Sequence, residues 1–266
     1  MTGLRLAAVG DNCIDRFLTQ KIARVGGNAL NVAVHFAKAG HDAAYFGAVG
    51  DDEDGRWTRQ ELVFNAVNVD GLDIRPEITA YTDIAHSAEG DRQFLFEEFG
   101  ASATYFPGPD AIKTLRAADH VHFGLLNESD LLCEELKGSG ATVSVDCAVN
   151  PLTAPVDLAF GSVGEDLQAA QAEMERLLAL GHGLVVVTRG AEGAIASDGT
   201  TTWNIAGKPI RAVDTTGAGD TFIAHFIATW KMSGDVETAL NWATMAAADN
   251  CLYLGGFPQE GRVLSS

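Results

Sequence analysis

Short apolar runs ending in glycine or aspartate alternate with helix-period stretches along most of this 266-residue chain. The opening "LRLAAVGDNCID" reads as a buried strand ending in polar residues, with Asp15 at its end. "GGNALNVAVHFAKAG" follows as a glycine pair and a helix that turns Ala29, Val32, Ala33, Phe36 and Ala37 inward, with Gly40 as its stop. "DAAYFGAVGDD" is another strand closing on a turn, and "GRWTRQELVFNAV" another helix. The rhythm resumes with strands at "HVHFGLL", "TVSVDCA", "LVVVTRG" and "GAIASDG", separated by helical stretches such as 165–180. Two short strands are expected around "TTWNIAGKPIRAV", and "ETALNWATMAAADNCLY" supplies a final helix. This alternation predicts an α/β fold with a mainly parallel sheet and helices on both of its faces.

One region breaks the rhythm. Within residues 74–100, "ITAYTDIAHSAEGDRQFLFEEFG" reads as a hairpin around a Glu-Gly-Asp turn at 89–91. Such an insertion suits a lid or a dimer contact. No linker, low-complexity segment or internal repeat is visible, so the chain reads as a single domain over 1–266, with lid segments near 15–25 and 74–100.

The net charge of −18 and pI near 4.6 argue against nucleic acid as a partner, because phosphate backbones call for basic faces. An acidic surface mainly favours solubility; attraction of a cationic substrate is the sharper alternative. "LRLAAVG" is too short for a secretory signal, and the apolar runs are too short to cross a bilayer, so a soluble cytoplasmic protein with no membrane partner is expected. Cys13, Cys133, Cys147 and Cys251 are scattered without metal-ligand spacing, as reduced thiols in a cytoplasm would be.

Several local patterns fall short of a site. "GDDEDGRWTRQE" places Asp52, Asp54, Gly55 and Glu61 at calcium-loop positions, but Gly50 occupies the first ligand position and a strand precedes it, so a solvated turn accounts for it better. His120 and His122 share a strand face without a third ligand nearby and read as core or edge residues. No Gly-x-Ser-x-Gly, no GxxxxGK[ST] and no GxGxxG after the first strand is present. The exception is "VDTTGAGDTFIAHFIATW", where Gly217, Ala218 and Gly219 open an apolar helix directly before Asp220. A helix start offers free N–H groups and partial positive charge to phosphate. A carboxylate at that spot makes sense as a base for whatever attacks the phosphate.

Together these stretches resemble the ribokinase-like (PfkB) family of carbohydrate kinases over nearly the whole chain. "DTTGAGD" at 214–220 is similar to its C-terminal signature and "VGGNALNVAVHFAKAG" at 25–40 to its N-terminal one. "AVGDD" at 48–52 resembles its turn after the third strand, and "VTRGAEGA" at 187–194 its nucleotide loop. The resemblance implies a three-layer α/β/α sandwich with a small β lid, and ATP- and Mg²⁺-dependent phosphorylation of a sugar. It implies Asp220 as general base and the amides of Gly217, Ala218 and Gly219 as an anion hole. It implies Asp15, with Asp11 and Asn12 assisting, and Gly27, Asn28 and Asn31 as sugar contacts, with Glu128 touching the acceptor. Thr188, Gly190, Glu192, Gly193 and Gly219 would meet ATP. Glu165 would organise Mg²⁺ with Asp146; Ser162, on the ATP side, stands where the family's metal motif usually has asparagine.

"GDNCID" followed closely by "GGNALNVAV" most resembles the branch acting on fructoselysine. That implies a sugar-amine acceptor phosphorylated at its 6-hydroxyl, whose amino-acid end leaves toward Asp83, Glu89, Asp91, Glu97 and Glu98. Ribose, fructose or nucleoside kinases of the same family are the alternatives, as is a non-catalytic sugar-binding sensor; the intact Asp220 and its glycine turn argue against the sensor. A homodimer through the lid is expected.

Overall fold

The apolar runs become strands whose faces are both covered. The computed structural model describes residues 3–86 and 92–264. Its strands are β1 (Arg5–Val9), β2 (Cys13–Phe17), β3 (Ile22–Gly26), β4 (Asp42–Gly50), β5 (Asn68–Arg75), β6 (Tyr81–His86), β7 (Arg92–Glu98), β8 (His120–Phe123), β9 (Thr142–Asp146), β10 (Leu158–Ser162), β11 (Leu184–Thr188), β12 (Ala194–Ser197), β13 (Thr202–Ile205) and β14 (Arg262–Val263). The helices are α1 (Asn28–Lys38), α2 (Glu53–Phe64), α3 (Pro109–Arg116), α4 (Ser129–Leu136), α5 (Leu167–Ala179), α6 (Ala218–Ser233) and α7 (Val236–Asn250).

Nine strands form the main sheet in the order β13-β12-β11-β10-β9-β8-β1-β4-β5. Pairing is parallel from β5 to β11, and the β11–β12 and β12–β13 pairings at one edge are antiparallel, so β12 is the strand that runs in reverse. Successive side chains of β1 alternate between two cores: Leu6 and Ala8 pack with α1, α2, α6 and α7, whereas Ala7 and Val9 pack with α3, α4 and α5. These are the layers of an α/β/α sandwich. No helix among the described residues is long and apolar enough to cross a membrane.

The second sheet has five strands in the order β14-β3-β2-β6-β7. The chain enters it from the end of β1 through Gly10, Asp11 and Asn12, and leaves it into α1 through Gly27. Most of the segments near 15–25 and 74–100 stand here.

Four details differ from the sequence reading. Asp15 is not at the end of the first strand but inside β2, because the chain turns at residues 10–12 and starts a new strand in the second sheet. β5 and β10 have no counterpart among the strands expected: β5 is a half-exposed sheet edge without an apolar run, and β10, LAFGS, has no β-branched residue. Of the two strands expected around "TTWNIAGKPIRAV", only β13 forms; the residues after it line a cavity instead. The expected turn at 89–91 lies outside the described residues.

The topology fixes where a ligand can sit. From β1 the chain moves to β4 and β5 on one side, then returns to β8 on the other. A crevice opens at such a switch point, at the carboxyl ends of the strands. Asp11, Gly124, Asp146, Ser162 and Thr188 all lie at or just beyond strand carboxyl ends on this edge.

Candidate active site

Asp11 starts the site by starting α1. Gly27, with φ 114°, has no side chain to cap the helix, and a Cβ there would fall 2.4 Å from the Cα of Asn12. Asp11 supplies the cap from a distance: its carboxylate accepts from the backbone N–H groups of Asn28 (2.8 Å), Ala29 (3.2 Å) and Leu125 (3.1 Å). Burial pushes its pKa up, and these amides oppose that. Both oxygens thus accept from the main chain, which fixes the carboxylate in place. Asn12 is fixed likewise. It is 1% exposed, and its NH₂ donates to Tyr45 Oη (3.0 Å) and the Ala48 carbonyl (2.7 Å), bracing the turn against β4.

The first turns of α1 then reach across to α6. The two hydrogens of the Asn28 NH₂ go to different carboxylates, Asp220 Oδ1 at 2.7 Å and Asp146 Oδ2 at 2.8 Å. Asn31, three residues on and on the same helix face, donates to Asp220 Oδ2 at 2.7 Å. Asp146 also accepts from the Ala148 N–H at 3.0 Å. Asp220 is raised well above the usual carboxylate range, chiefly by burial, and further by the negative charges of Asp146, Asp11 and Asp15; the Asn31 bond opposes this. Asp146 is raised too, again chiefly by burial. A half-buried carboxylate with raised pKa, held by two amides at a crevice, marks a candidate functional site.

The turn before Asp220 is held from the far end of the chain. Gly217 takes φ 70°, and a Cβ there would lie 2.5 Å from the Cα of Gly256. His35 Nε2 lies 2.9 Å from both the Gly256 carbonyl and Thr221 Oγ1, and Thr221 Oγ1 donates to the Gly217 carbonyl at 2.8 Å. Burial holds His35 down at about 4, so the ring is neutral and its Nε2–H serves as the donor. Asp214 accepts from Thr216 N–H (3.1 Å) and Gly255 N–H (2.8 Å), and Asn250 donates to the Thr216 carbonyl at 2.9 Å. None of His35, Asp214, Asn250 or Gly256 was expected at the site. Their signals were present, since His35 and Asp214 lie inside the two signature stretches and Gly255-Gly256 is a glycine pair near the C-terminus. Of the expected anion-hole amides, that of Ala218 already points at the Thr215 carbonyl, 3.3 Å away.

Beyond Gly219 opens a cavity of about 400 Å³, within the size range of small-molecule sites. Ser162, Thr188, Gly190 and Gly193 line it from the sheet, Ala218 and Gly219 from the helix start, and Ile210, Phe222, Ala247 and Cys251 from its apolar walls. Four of the expected nucleotide contacts therefore meet at one place with the helix start. Glu192 is exposed; its carbonyl accepts from the Arg189 guanidinium at 2.8 Å and its N–H donates to the Arg189 carbonyl at 3.0 Å. Glu165 is exposed at the cavity rim, where its Cγ would lie 3.7 Å from a Cβ on Gly190. Asp15 is 6% exposed and accepts from Cys13 Sγ at 3.2 Å. Glu128 stands exposed in a left-handed conformation before α4, not joined by a hydrogen bond to the Asp220 group.

The patterns set aside in the sequence have structural work. Asp52 caps α2 through Gly55 N–H (2.7 Å) and also binds Thr79, so the loop is an ordered cap rather than a solvated turn. His120 and His122 share the Ser144 hydroxyl at 2.7 and 2.8 Å inside the core. Among the described residues no group of three acids, histidines or cysteines is arranged to hold a bare metal ion.

Comparison with known proteins follows the same lines. Residues 23–257 match the family model described as pfkB family carbohydrate kinase. The chain is 30% identical over 259 residues to fructoselysine 6-kinase of Escherichia coli (strain K12), covering 95% of this chain and 99% of that protein. It is 31% identical over 270 residues to the fructosamine kinase FrlD of Bacillus subtilis (strain 168), covering 96% and 93%. The Arabidopsis thaliana ribokinase complexed with ribose and ATP has a similar fold, with TM-score 0.82 at 21% identity over 96% of this chain and 94% of that one.

Proposed function

Because this chain belongs to the pfkB family of carbohydrate kinases, we propose that it transfers the γ-phosphoryl group of ATP to the 6-hydroxyl of fructoselysine or a related fructosamine. The observation that carries the reading is the junction between Gly219 and Asp220. The glycine lines the cavity, and the next residue is the carboxylate held by Asn28 and Asn31. Donor and base are thus one peptide apart.

Asp220 takes the proton of the attacking hydroxyl, and its raised pKa makes it a stronger base than an ordinary carboxylate. Asn28 and Asn31 fix the direction of both of its oxygens. Asp15, reaching from the second sheet, receives sugar hydroxyls beside it. The cavity fits a nucleotide in size, in its apolar walls and in the exposed Gly219 at the helix start. ATP supplies the phosphoryl group when bound, with Mg²⁺ neutralising its charge. Mg²⁺ is commonly held by phosphates plus one or two carboxylates, which suits a site without a preformed cage. Glu165 at the rim and Asp146 beside Asn28 are those carboxylates.

Two relatives with fructoselysine or fructosamine in their names, matched over nearly their whole length, support the choice of acceptor. The test is ADP release over a panel of fructoselysine, fructose, ribose and nucleosides. Fructoselysine should show the highest kcat/KM. Preference for a free sugar or nucleoside moves the assignment within the family, and binding without turnover identifies a sensor. The dimer reading rests on the open edge strand β7 and its exposed Leu95 and Phe96; a monomer mass by light scattering refutes it.

A further inference from the structure

Strand register sorts the acidic residues of the second sheet onto two faces. Residues directly opposite one another on neighbouring strands point to the same side. Arg24 pairs with Asp15, Asp15 with Thr82, and Thr82 with Glu97, so these four form a row on one face. Asp83 pairs with Arg16 and Phe96, and Glu98 with Tyr81, one residue out of step. Asp83 and Glu98 therefore stand on the other face. Contacts there agree: Arg16 lies 3.5 Å over the Tyr81 ring and 4.0 Å from Asp83, and the Tyr81 and Phe96 rings are 5.7 Å apart. Glu98 is also occupied locally, accepting from the Gly100 N–H at 3.1 Å.

The face of the row is the one that looks into the site. Asp15 is close enough to Asp220 to act on its charge, and Cys13, on the same side of β2, donates to Asp15. Glu97 is exposed on the edge strand, with buried Thr82 between it and Asp15. Neighbouring strands are about 4.8 Å apart, so Glu97 stands about 10 Å from Asp15 across the sheet. A sugar ring placed at Asp15, with its primary hydroxyl at Asp220, leaves its anomeric substituent free to run along this row. The linking amine of fructoselysine stays next to the ring, while its methylene chain crosses Thr82.

We infer that Glu97 receives the α-ammonium group of the amino-acid end of a fructosamine and is a specificity-determining residue, an assignment that rests on the fructosamine reading above. Of the described acids on β6 and β7, Glu97 alone shares the face of Asp15. An exposed ion pair is a weak and salt-sensitive contact, so the effect is modest.

The test compares fructoselysine with its Nα-acetyl form, which lacks the α-ammonium, and with fructose. Wild-type protein at low salt should prefer fructoselysine to the acetylated form by about fivefold in kcat/KM. Glu97→Gln should bring that ratio close to one and leave turnover of fructose unchanged, whereas Glu98→Gln should keep the wild-type ratio. A wild-type ratio near one, a ratio that survives Glu97→Gln, or an equal loss on fructose overturns the assignment to Glu97. If wild type handles fructose or ribose better than fructoselysine, the substrate reading fails and the role of Glu97 falls with it. Fructoselysine preferred over both free sugars, with a ratio indifferent to Glu97, removes the role of Glu97 alone.

Discussion

Around Asp220, side chains hold side chains; across the glycine turn, glycines and apolar groups make up most of the cavity lining, with Lys208 as its charged side chain. On the first side an amide lies between two carboxylates, and four acids share one buried neighbourhood. On the second, Ser162 and Thr188 are the polar side chains at the sheet edge, and glycines do much of the rest. The difference teaches what each side can tolerate. A substitution beside Asp220 changes the charge state of its neighbours, whereas one in the cavity changes only fit.

The largest effect expected is at Asp220. Asp220→Asn keeps the shape and removes the base, so turnover should fall about 10²–10⁴-fold while ATP affinity stays within about twofold. More than a tenth of wild-type turnover would break the contrast at its centre. The same variant has a stability signature. A carboxylate whose folded pKa lies above its unfolded value contributes stability at acid pH and loses it as pH rises through the folded pKa. Asp220→Asn leaves one of the two amide donors without an acceptor at every pH, so the charge effect shows as a trend: its melting temperature relative to wild type should rise from pH 4 to pH 8.

Asn28→Ala comes next. It removes the donor that separates Asp146 from Asp220, so their repulsion is no longer offset. Turnover should fall about tenfold, and the acid limb of kcat/KM should move up by about one pH unit, because Asp220 must lose its proton before it can act. A limb at the wild-type position would mean that Asn28 orients without tuning.

Effects shrink across the turn. Glu165→Gln should raise the Mg²⁺ concentration for half-maximal rate several-fold and leave sugar binding without nucleotide unchanged. An unaltered Mg²⁺ titration removes Glu165 from the site. Ser162→Ala should raise the KM for ATP no more than about threefold with kcat kept, the scale of one exposed neutral hydrogen bond. A larger change there than at Glu165 would reverse the ranking of side-chain against main-chain recognition.

Legibility in the sequence followed distance along the chain. The glycine turn and Asp220 are adjacent and could be read together; the βα alternation was visible because parallel strands are apolar on both faces. β5 and β10 were missed because a half-exposed edge has no apolar run and LAFGS has no β-branched residue to mark a strand. The capping by Asp11 of a helix 17 residues away was not legible, because such a carboxylate looks like any loop acid. The bonds from Asn28 and Asn31 to Asp220 span 192 and 189 residues, and no local rule reports them. Only the family resemblance placed those residues together, and it named contacts without showing that they hold the base.

His35 touches Gly256 across 221 residues, and Gly256 backs the turn of Gly217. During synthesis the N-terminal half of the crevice, with Asn28, Asn31 and His35, leaves the ribosome long before the turn that completes it. A nascent chain carries the acceptor-side amides without the base, and then the base without the backing for its turn. The corner around Asp220 closes only once Gly256 stands behind Gly217 and meets His35.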